Sequence, residues 1–192
     1  MAIFPHQSHM TVEEYFELCR SNPDARYEYI DGQVTMLAGG SLNHARIITN
    51  ITGMLGNLLS GGPCQPFTSD AGLQVAADRY VLPDVAVTCD DRDHQDNDYL
   101  RFPCLLFEVL SPSTELADRG RKFTYYRKLP TVKEYVLVNS LEVSIEMFRR
   151  EKNTLWTLHL FGIDDEVTLV SVGVTLPVRE IYENVIFREN DV

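Results

Sequence analysis

An apolar stretch runs from Leu105 to Leu110 and contains a single carboxylate, that of Glu108. Prolines flank the stretch at Pro103 and Pro112, so its short length and composition predict a central, buried β-strand. An ionised carboxylate that is removed from water must be paired, hydrogen-bonded or bound to a metal. The pattern therefore predicts that Glu108 has a partner from another part of the chain.

The N-terminal residues alternate between helical and strand-like patterns. Thr11 and Glu14 have the spacing of a capping box, which predicts a short helix that ends before Pro23. Asp31-Gly32 lies between two strand-like runs and predicts a β-hairpin. The first part of the domain is therefore predicted to be a helix followed by a hairpin.

The middle of the chain contains a longer amphipathic pattern. Apolar residues at helical spacing predict a second helix over residues 42–59, with Ser41 as its N-cap. Residues 67–75 and 80–88 are predicted to be strands. The run 90–98 contains five aspartates and predicts a solvated loop.

The segment after the Glu108 strand predicts a crossover connection. A helix over residues 111–129 and a strand over 134–138 would place the second strand parallel to the first. Further short, mostly antiparallel strands are predicted at 143–148, 155–161 and 167–169, with a closing helix at 177–182. The predicted fold class is α/β, with one mixed central β-sheet flanked by helices.

The composition indicates one globular domain. A chain of 192 residues with 44% apolar content can bury a core. The expected domain spans residues 11–187, between a flexible N-terminal tail at 1–10 and a C-terminal tail at 188–192. The sequence contains neither an apolar run long enough to span a bilayer nor a secretory signal, so a cytoplasmic protein is expected.

The cysteines predict no zinc site. No CxxC pair is present among the four cysteines, which are Cys19, Cys64, Cys89 and Cys104. Reduced thiols are expected for a cytoplasmic chain.

Asp84 and Lys122 are the candidate partners of Glu108. Asp84 lies in a strand-like run, and Lys122 lies in the helix that follows the Glu108 strand. Two acids on adjacent strands and one lysine are suited to a site for a hard divalent cation. The alternative is a structural ion pair between Glu108 and Lys122 or a nearby arginine, and the residues alone favour neither.

The motif Pro83-Asp84, followed after a loop by Glu108-Val109-Leu110, resembles the PD-(D/E)XK nuclease superfamily with its restriction-endonuclease-like fold. In that superfamily the aspartate and the glutamate bind magnesium, and a lysine stands two residues after the glutamate. Leu110 occupies that position here.

A longer ordered pattern over residues 10–185 resembles the Uma-two family of endonucleases. In this branch the lysine comes from the following helix, at a position that Lys122 matches. The pattern consists of Tyr27-Glu28-Tyr29-Ile30-Asp31-Gly32, His44, Pro83-Asp84-Val85-Ala86-Val87, Glu108-Val109-Leu110-Ser111-Pro112-Ser113-Thr114, Asp118, Lys122, Tyr126 and Glu134-Tyr135-Val136-Leu137-Val138.

The resemblance implies a metal-dependent endonuclease that hydrolyses phosphodiester bonds of DNA. Asp84 and Glu108 would hold Mg²⁺ or Mn²⁺, and Lys122 would assist the attacking water. Glu28 is expected to be a third carboxylate of the metal site, a residue that orients Lys122, or an exposed hairpin charge. His44 is expected to be either a hydrogen-bonded core histidine or a residue that contacts the phosphate or a metal-bound water.

The net charge of −11 argues against a broadly basic DNA-binding surface. Low affinity for DNA and a homodimer that gathers the basic residues are expected. One local basic cluster lies near the proposed site and is predicted to bind nucleic acid, namely Arg119, Arg121, Arg127 and Lys128. Two alternatives stay open: a catalytically weak or inactive binding module on a nuclease scaffold, and a small-molecule phosphodiesterase.

Overall fold

The computed structural model describes residues 9–95, 98–152 and 154–187. Within them the helices are α1 (Val12–Ser21), α2 (Leu42–Leu58), α3 (Asp91–His94), α4 (Glu115–Ala117), α5 (Phe123–Tyr126) and α6 (Val178–Ile181), and a π-helical segment (Asp118–Lys122) joins α4 to α5. The strands are β1 (Tyr27–Ile30), β2 (Gln33–Met36), β3 (Gln65–Thr68), β4 (Leu73–Ala76), β5 (Arg79–Val81), β6 (Val85–Thr88), β7 (Leu105–Leu110), β8 (Glu134–Asn139), β9 (Ile145–Arg150), β10 (Trp156–Phe161), β11 (Glu166–Leu169) and β12 (Val174–Pro177).

The central sheet is mixed and has β7 near its middle, as the apolar stretch predicts. Its six strands follow the order β10-β9-β8-β7-β6-β3. β7 pairs with β8 in parallel, with Glu108 opposite Leu137, and with β6 in antiparallel orientation, with Phe107 opposite Val85. The predicted crossover between two parallel strands and the predicted α/β class are therefore confirmed.

Side-chain alternation along β7 places Glu108 on one particular face of the sheet. Leu105, Phe107 and Val109 lie in the core cluster that also contains buried residues of α2 and α6. Leu106 and Leu110 lie in the cluster on the opposite face. Glu108 shares the face of Leu106 and Leu110, since side chains of a strand point alternately to its two sides.

A second sheet, four-stranded and antiparallel, covers part of that face. Its order is β2-β1-β5-β4, and β1 and β2 form the predicted hairpin around Asp31-Gly32. The two predicted strands 67–75 and 80–88 are wrong as single elements, because each is divided between the two sheets. A turn in which Ala71 N donates to Thr68 O divides the first, and Pro83, which lacks the amide that a strand ladder requires, divides the second.

The two N-terminal helix predictions are confirmed by their caps. Thr11 and Glu14 form the reciprocal hydrogen bonds of a capping box at α1. The Ser41 side chain accepts from His44 N at the start of α2. The predicted helix over residues 111–129 is shorter, spanning Glu115–Tyr126, and its middle is π-helical.

The predicted aspartate-rich loop is partly helical. Asp93, in α3, is buried and accepts from the backbone N–H groups of Arg101 (2.8 Å) and Phe102 (3.0 Å). Sequence alone does not show this role, because both donors lie eight or more residues downstream. Asp96 and Asn97, also part of that prediction, lie outside the described residues.

The expectation of reduced cysteines is wrong for one pair. Cys64 and Cys89 form a disulfide, whereas Cys19 and Cys104 are free. The pair forms because β3 and β6 are antiparallel neighbours and the two cysteines directly adjoin the paired residues Gln65 and Thr88.

The chain ends are described only in part. Residues 1–8 and 188–192, which make up most of the predicted tails, lie outside the described residues. Met10 N donates to Gly32 O at 3.0 Å, which ties this part of the chain to the hairpin. Among the described residues, no helix has the length and apolar character needed to cross a membrane.

Candidate active site

The ammonium group of Lys122 lies among three carboxylates. Its Nζ is 3.0 Å from Glu108 Oε1 and 3.3 Å from both Glu28 Oε1 and Asp118 Oδ1. All four residues are buried, with exposed fractions of 7% for Lys122, 2% for Glu108, 5% for Glu28 and 1% for Asp118. Charges this close in a poorly solvated place interact strongly, so the lysine is held in one position.

The π-helical segment brings two of these groups together. Asp118 and Lys122 are its first and last residues and are buried, whereas the three residues between them are exposed. Tyr135 OH donates to the Asp118 carbonyl at 3.0 Å and anchors the start of the segment on β8. Short π-helical insertions are frequent at functional sites.

Tyr126 completes the surroundings of Glu108. It is fully buried, as expected of a core aromatic, but its OH also donates to Glu108 Oε1 at 2.7 Å. Glu108 Oε1 therefore receives one donor from the π-helical segment and one from α5. The sequence pattern includes Tyr126 but does not by itself show this hydrogen bond.

Asp84 lies at the break between β5 and β6, beside the same strand. Its Oδ2 accepts from Val109 N at 2.7 Å, and His44 Nε2 lies 3.4 Å from that oxygen. The backbone of β7 thus fixes the aspartate next to Glu108. Asp84 directly precedes β6, the antiparallel neighbour of β7, so the two acids lie side by side although Asp84 is just outside the strand on which it was predicted. His44 lies at Asp84 rather than deep in the core.

A cavity of about 350 Å³ opens onto this cluster. Asp84, Glu108, Asp118, Lys122 and His44 all line it. Glu28 does not line the cavity. Its Oε1 accepts from Leu82 N at 3.1 Å, so Glu28 joins the end of β5 to the Lys122 ammonium.

Several further polar residues on the cavity wall were not predicted. Arg26 is a basic residue there, and its Nη1 donates to Ser69 Oγ at 2.7 Å. Three hydroxyls line the wall just after β7, with Ser111 Oγ 3.1 Å from Ser113 Oγ and 3.0 Å from Thr114 Oγ1. The run Ser-Pro-Ser-Thr is a visible signal for the hydroxyls, whereas no local signal distinguishes Arg26.

The cluster carries more negative than positive charge. Burial raises the pKa of Glu108 well above its usual value, and the neighbouring Asp118 and Asp84 add to the shift despite Lys122. Burial likewise raises the pKa of Asp118. Burial alone would lower the pKa of Lys122, but the carboxylates of Glu108, Glu28 and Asp118 outweigh it and raise that pKa, so the ammonium stays charged.

Comparison with known proteins places the chain in a family. Residues 12–179 match the model of the Uma2 family, described as "Putative restriction endonuclease". The chain belongs to the Uma2 family. This confirms the resemblance inferred from the ordered motifs.

Two relatives of this Uma2 chain come from Synechocystis sp. (strain ATCC 27184 / PCC 6803 / Kazusa). "Uncharacterized protein slr1290" is 36% identical over 179 residues, covering 93% of this chain and 94% of the relative. "Uncharacterized protein sll1609" is 30% identical over 162 residues, covering 82% of this chain and 91% of the relative.

A solved structure shares the Uma2 fold. It is the crystal structure of "a putative nuclease belonging to DUF820 from Anabaena variabilis ATCC 29413", with a TM-score of 0.76 and 17% identity. The match covers 92% of this chain and 99% of that one. The predicted restriction-endonuclease-like fold is therefore confirmed.

The donor set of this Uma2 protein is compatible with a divalent cation that keeps much of its water. In the described parts of the chain, no group of three or more His, Cys, Asp or Glu side chains is arranged to hold a metal. Asp84 and Glu108 nevertheless both face the cavity, and Asp118, whose Oδ1 lies 3.3 Å from Lys122 Nζ, lines it as well. Surplus negative charge and two carboxylates suit Mg²⁺, which takes few protein ligands and retains several waters.

The predicted nucleic-acid cluster of the Uma2 chain lies outside the cavity. Arg119 is bound to two acids, with Nε 2.7 Å from Glu115 Oε1 and Nη1 2.6 Å from Glu146 Oε2. The remaining three residues, Arg121, Arg127 and Lys128, are exposed. None of the four is among the residues that line the cavity.

Proposed function

We propose that the protein is a metal-dependent endonuclease that hydrolyses phosphodiester bonds of DNA. The observation that supports this most directly is the position of the Lys122 ammonium, which lies 3.0 Å from Glu108 Oε1 in a residue that lines the same cavity as Asp84. Membership of the Uma2 family, described as "Putative restriction endonuclease", supports the same chemistry.

Asp84 and Glu108 would hold the cation, Mg²⁺ or Mn²⁺. When bound, the cation would neutralise a phosphate oxygen and lower the pKa of a coordinated water. Asp84 is oriented for this by Val109 N, which occupies Oδ2, and Glu108 is oriented by Tyr126. Both carboxylates are thus fixed before substrate arrives, which reduces reorganisation during the reaction.

Lys122 would act as a charge rather than as a base. Since its neighbours raise its pKa, the ammonium remains protonated and can stabilise hydroxide or the negative charge that develops on the phosphate. Glu28 and Asp118 hold the ammonium from two further directions. Their proposed role is to position Lys122, whereas His44 would contact Asp84 and the phosphate or water in the cavity.

The DNA is proposed to approach across the exposed residues Arg121, Arg127 and Lys128, with Arg119 at the edge of that surface. The net charge of −11 supports low overall affinity for DNA. A homodimer in the cytoplasm, in which two copies contribute their basic residues, is proposed as the functional form. Exposed Leu158 and Leu160 on the edge strand β10 support association of this kind.

A cleavage assay tests the activity. The purified protein is incubated with Mg²⁺, Mn²⁺ or a chelator, using supercoiled plasmid, single-stranded DNA, RNA and a small phosphodiester as substrates. We expect metal-dependent nicking of the plasmid and no such activity in Asp84→Ala or Glu108→Ala. Unchanged nicking by either folded variant would contradict the assigned roles.

A small-molecule phosphodiesterase is the second candidate, since the cavity of about 350 Å³ is of a size that takes a small ligand. Metal-dependent cleavage of the small diester without cleavage of any nucleic acid would favour it. If no substrate is cleaved but Mn²⁺ still binds, a non-catalytic binding module is favoured instead.

A further inference from the structure

Three of the four cysteines lie together at one end of three neighbouring strands. Cys64 directly precedes β3, Cys89 directly follows β6 and Cys104 directly precedes β7. Cys64 and Cys89 form the disulfide, and the free Cys104 Sγ lies 3.6 Å from Cys89 Sγ. A free thiol in contact with a disulfide sulfur is the arrangement from which thiol–disulfide exchange proceeds.

The environment of Cys104 keeps this thiol protonated and close to the disulfide. Its Sγ donates to Val87 O at 3.3 Å, which keeps it beside the end of β6. Burial raises the pKa of Cys104 to about 11, with Glu134 adding to the shift and Lys133 opposing it. At neutral pH the group is therefore a neutral thiol, which explains how it can adjoin a disulfide and remain unreacted.

The other end of the disulfide is open to small molecules. Cys64 lines a separate cavity of about 340 Å³, together with His94 and residues of the glycine-rich turn after α2. Cys64 is thus placed to leave as a thiolate, to take up a proton from solvent and to meet an external thiol. This cavity shares no residue with the cavity that contains Asp84 and Glu108.

We propose that Cys64, Cys89 and Cys104 form a thiol–disulfide exchange site in which Cys89 alternates between two partners. Cys104 loses its proton to solvent, and its thiolate attacks Cys89 Sγ. The Cys89–Cys104 bond forms as the Cys64–Cys89 bond breaks, and Cys64 leaves as a thiolate that takes up a proton. One disulfide and one thiol are present before and after, so no external oxidant or reductant is needed.

The exchange changes which strands are covalently joined. With Cys64 as partner, the edge strand β3 is fixed to β6, whereas with Cys104 as partner β6 is fixed to β7. The second state also presents the Cys64 thiol to the 340 Å³ cavity, where its thiolate can attack a small disulfide such as glutathione disulfide, forming a mixed disulfide as one small thiol leaves. The proposal does not depend on the nuclease assignment.

Peptide mapping of the unreduced full-length protein tests the exchange, because trypsin places the three cysteines on separate peptides. Cleavage after arginine gives residues 47–79 with Cys64, 80–92 with Cys89 and 102–119 with Cys104. The native protein is incubated in mildly alkaline buffer, quenched with acid at intervals, alkylated with N-ethylmaleimide in denaturant and digested. Mass spectrometry then measures which peptide is linked to 80–92.

We expect the fraction of peptide 80–92 linked to 102–119 to rise while the fraction linked to 47–79 falls. At equilibrium the two fractions should be within about tenfold of each other, because both disulfides join adjacent strands and interconvert without net redox change. The rate should not depend on protein concentration. Cys19→Ser, which removes the free thiol outside the cluster, should behave like the wild type, whereas Cys104→Ser should retain only the original link.

A link of 80–92 to 47–79 alone, at every time point in the native wild type, would overturn the proposal. Appearance of the second link only in proportion to protein concentration would overturn it as well. Cys64→Ser provides a second measurement, because glutathione disulfide should oxidise it to the Cys89–Cys104 pair. If that variant is misfolded by circular dichroism, the wild-type map decides alone.

Discussion

Two buried glutamates on adjacent parallel strands, Glu134 and Glu108, differ in the charges and hydrogen-bond donors around them. Glu134 at the start of β8 is fully buried, and donors reach both of its carboxylate oxygens. Arg149 Nε (2.9 Å) and Val170 N (3.1 Å) donate to Oε1, and Ser171 donates from its amide and its hydroxyl to Oε2. Glu108 on β7 instead faces a cavity, and further carboxylates lie nearby.

The difference separates a structural carboxylate from the one that we propose as a cation ligand. The donors of Glu134 come from β9 and from the segment after β11, so this residue joins the hairpin of β11 and β12 to the sheet. Glu108 shares one ammonium with Glu28 and Asp118, and its pKa is raised by burial and by like charge. A buried carboxylate with surplus negative neighbours and an open cavity is suited to bind a cation.

The largest expected effect is on catalysis. Glu108→Gln should lower the plasmid-cleavage rate by about a thousandfold or more, equivalent to about 4 kcal/mol of activation free energy, because a neutral amide is a poor cation ligand. Glu134→Gln should leave the rate within about tenfold of the wild type, since it changes no group in the cavity. Similar losses in the two folded variants would remove the proposed distinction.

The same two substitutions should affect stability in the reverse order, with the larger loss in Glu134→Gln. Glu134→Gln places an amide group among donors and deprives Arg149 of its charge partner, so the free energy of unfolding should fall by about 3 kcal/mol. Glu108→Gln removes one of several like charges and should change it by less than about 1 kcal/mol. Urea unfolding followed by circular dichroism measures both, and a larger loss for Glu108→Gln would contradict the comparison.

Cation binding provides a smaller but direct effect. Mn²⁺ at ten times its dissociation constant should stabilise the wild type by about 1.4 kcal/mol, because it binds the folded chain. Glu134→Gln should show the same increment, whereas Asp84→Asn and Glu108→Gln should show almost none. Thermal unfolding with and without Mn²⁺ makes the measurement, and an undiminished shift in Asp84→Asn would place the cation elsewhere.

The smallest expected effect concerns the arginines. Arg119 forms ion pairs with two acids, and Arg149 likewise forms an ion pair with Glu134. Arg121, in contrast, is exposed. Arg121→Glu should weaken DNA binding at low salt by about three- to tenfold and make its salt dependence shallower.

Arg20→Glu is the matched control, since Arg20 lies exposed on α1 and the substitution changes net charge equally. Fluorescence anisotropy with a labelled duplex compares the two variants. Equal weakening by both would indicate an effect of total charge and not of the proposed surface.

Local patterns were sufficient for much of the fold and for part of the candidate site. The apolar run around Glu108 predicted a buried central strand, and the capping box at Thr11 and the Asp31-Gly32 turn predicted their elements correctly. These succeed because capping, turn formation and side-chain alternation depend on neighbouring residues. The ordered motif likewise indicated Asp84 and Lys122 as partners of Glu108.

Features that depend on distant residues escaped prediction. The division of residues 67–88 between two sheets, the burial of Asp93 and the role of Arg26 in the cavity wall depend on where other segments pack. The Cys64–Cys89 disulfide also depends on strand pairing, because nothing in their spacing of 25 residues brings them together.

By itself, the sequence determined the order of the main elements and the family. It also indicated a small set of acids and one lysine as candidate site residues. Only the tertiary structure decided that Lys122 serves three carboxylates at once, that Glu28 lies behind the cavity wall and that Glu134 is a structural group. The physical reason is that a charged side chain acquires its function from the dielectric, the donors and the other charges around it. Those come from segments far apart in the chain, and only folding brings them together.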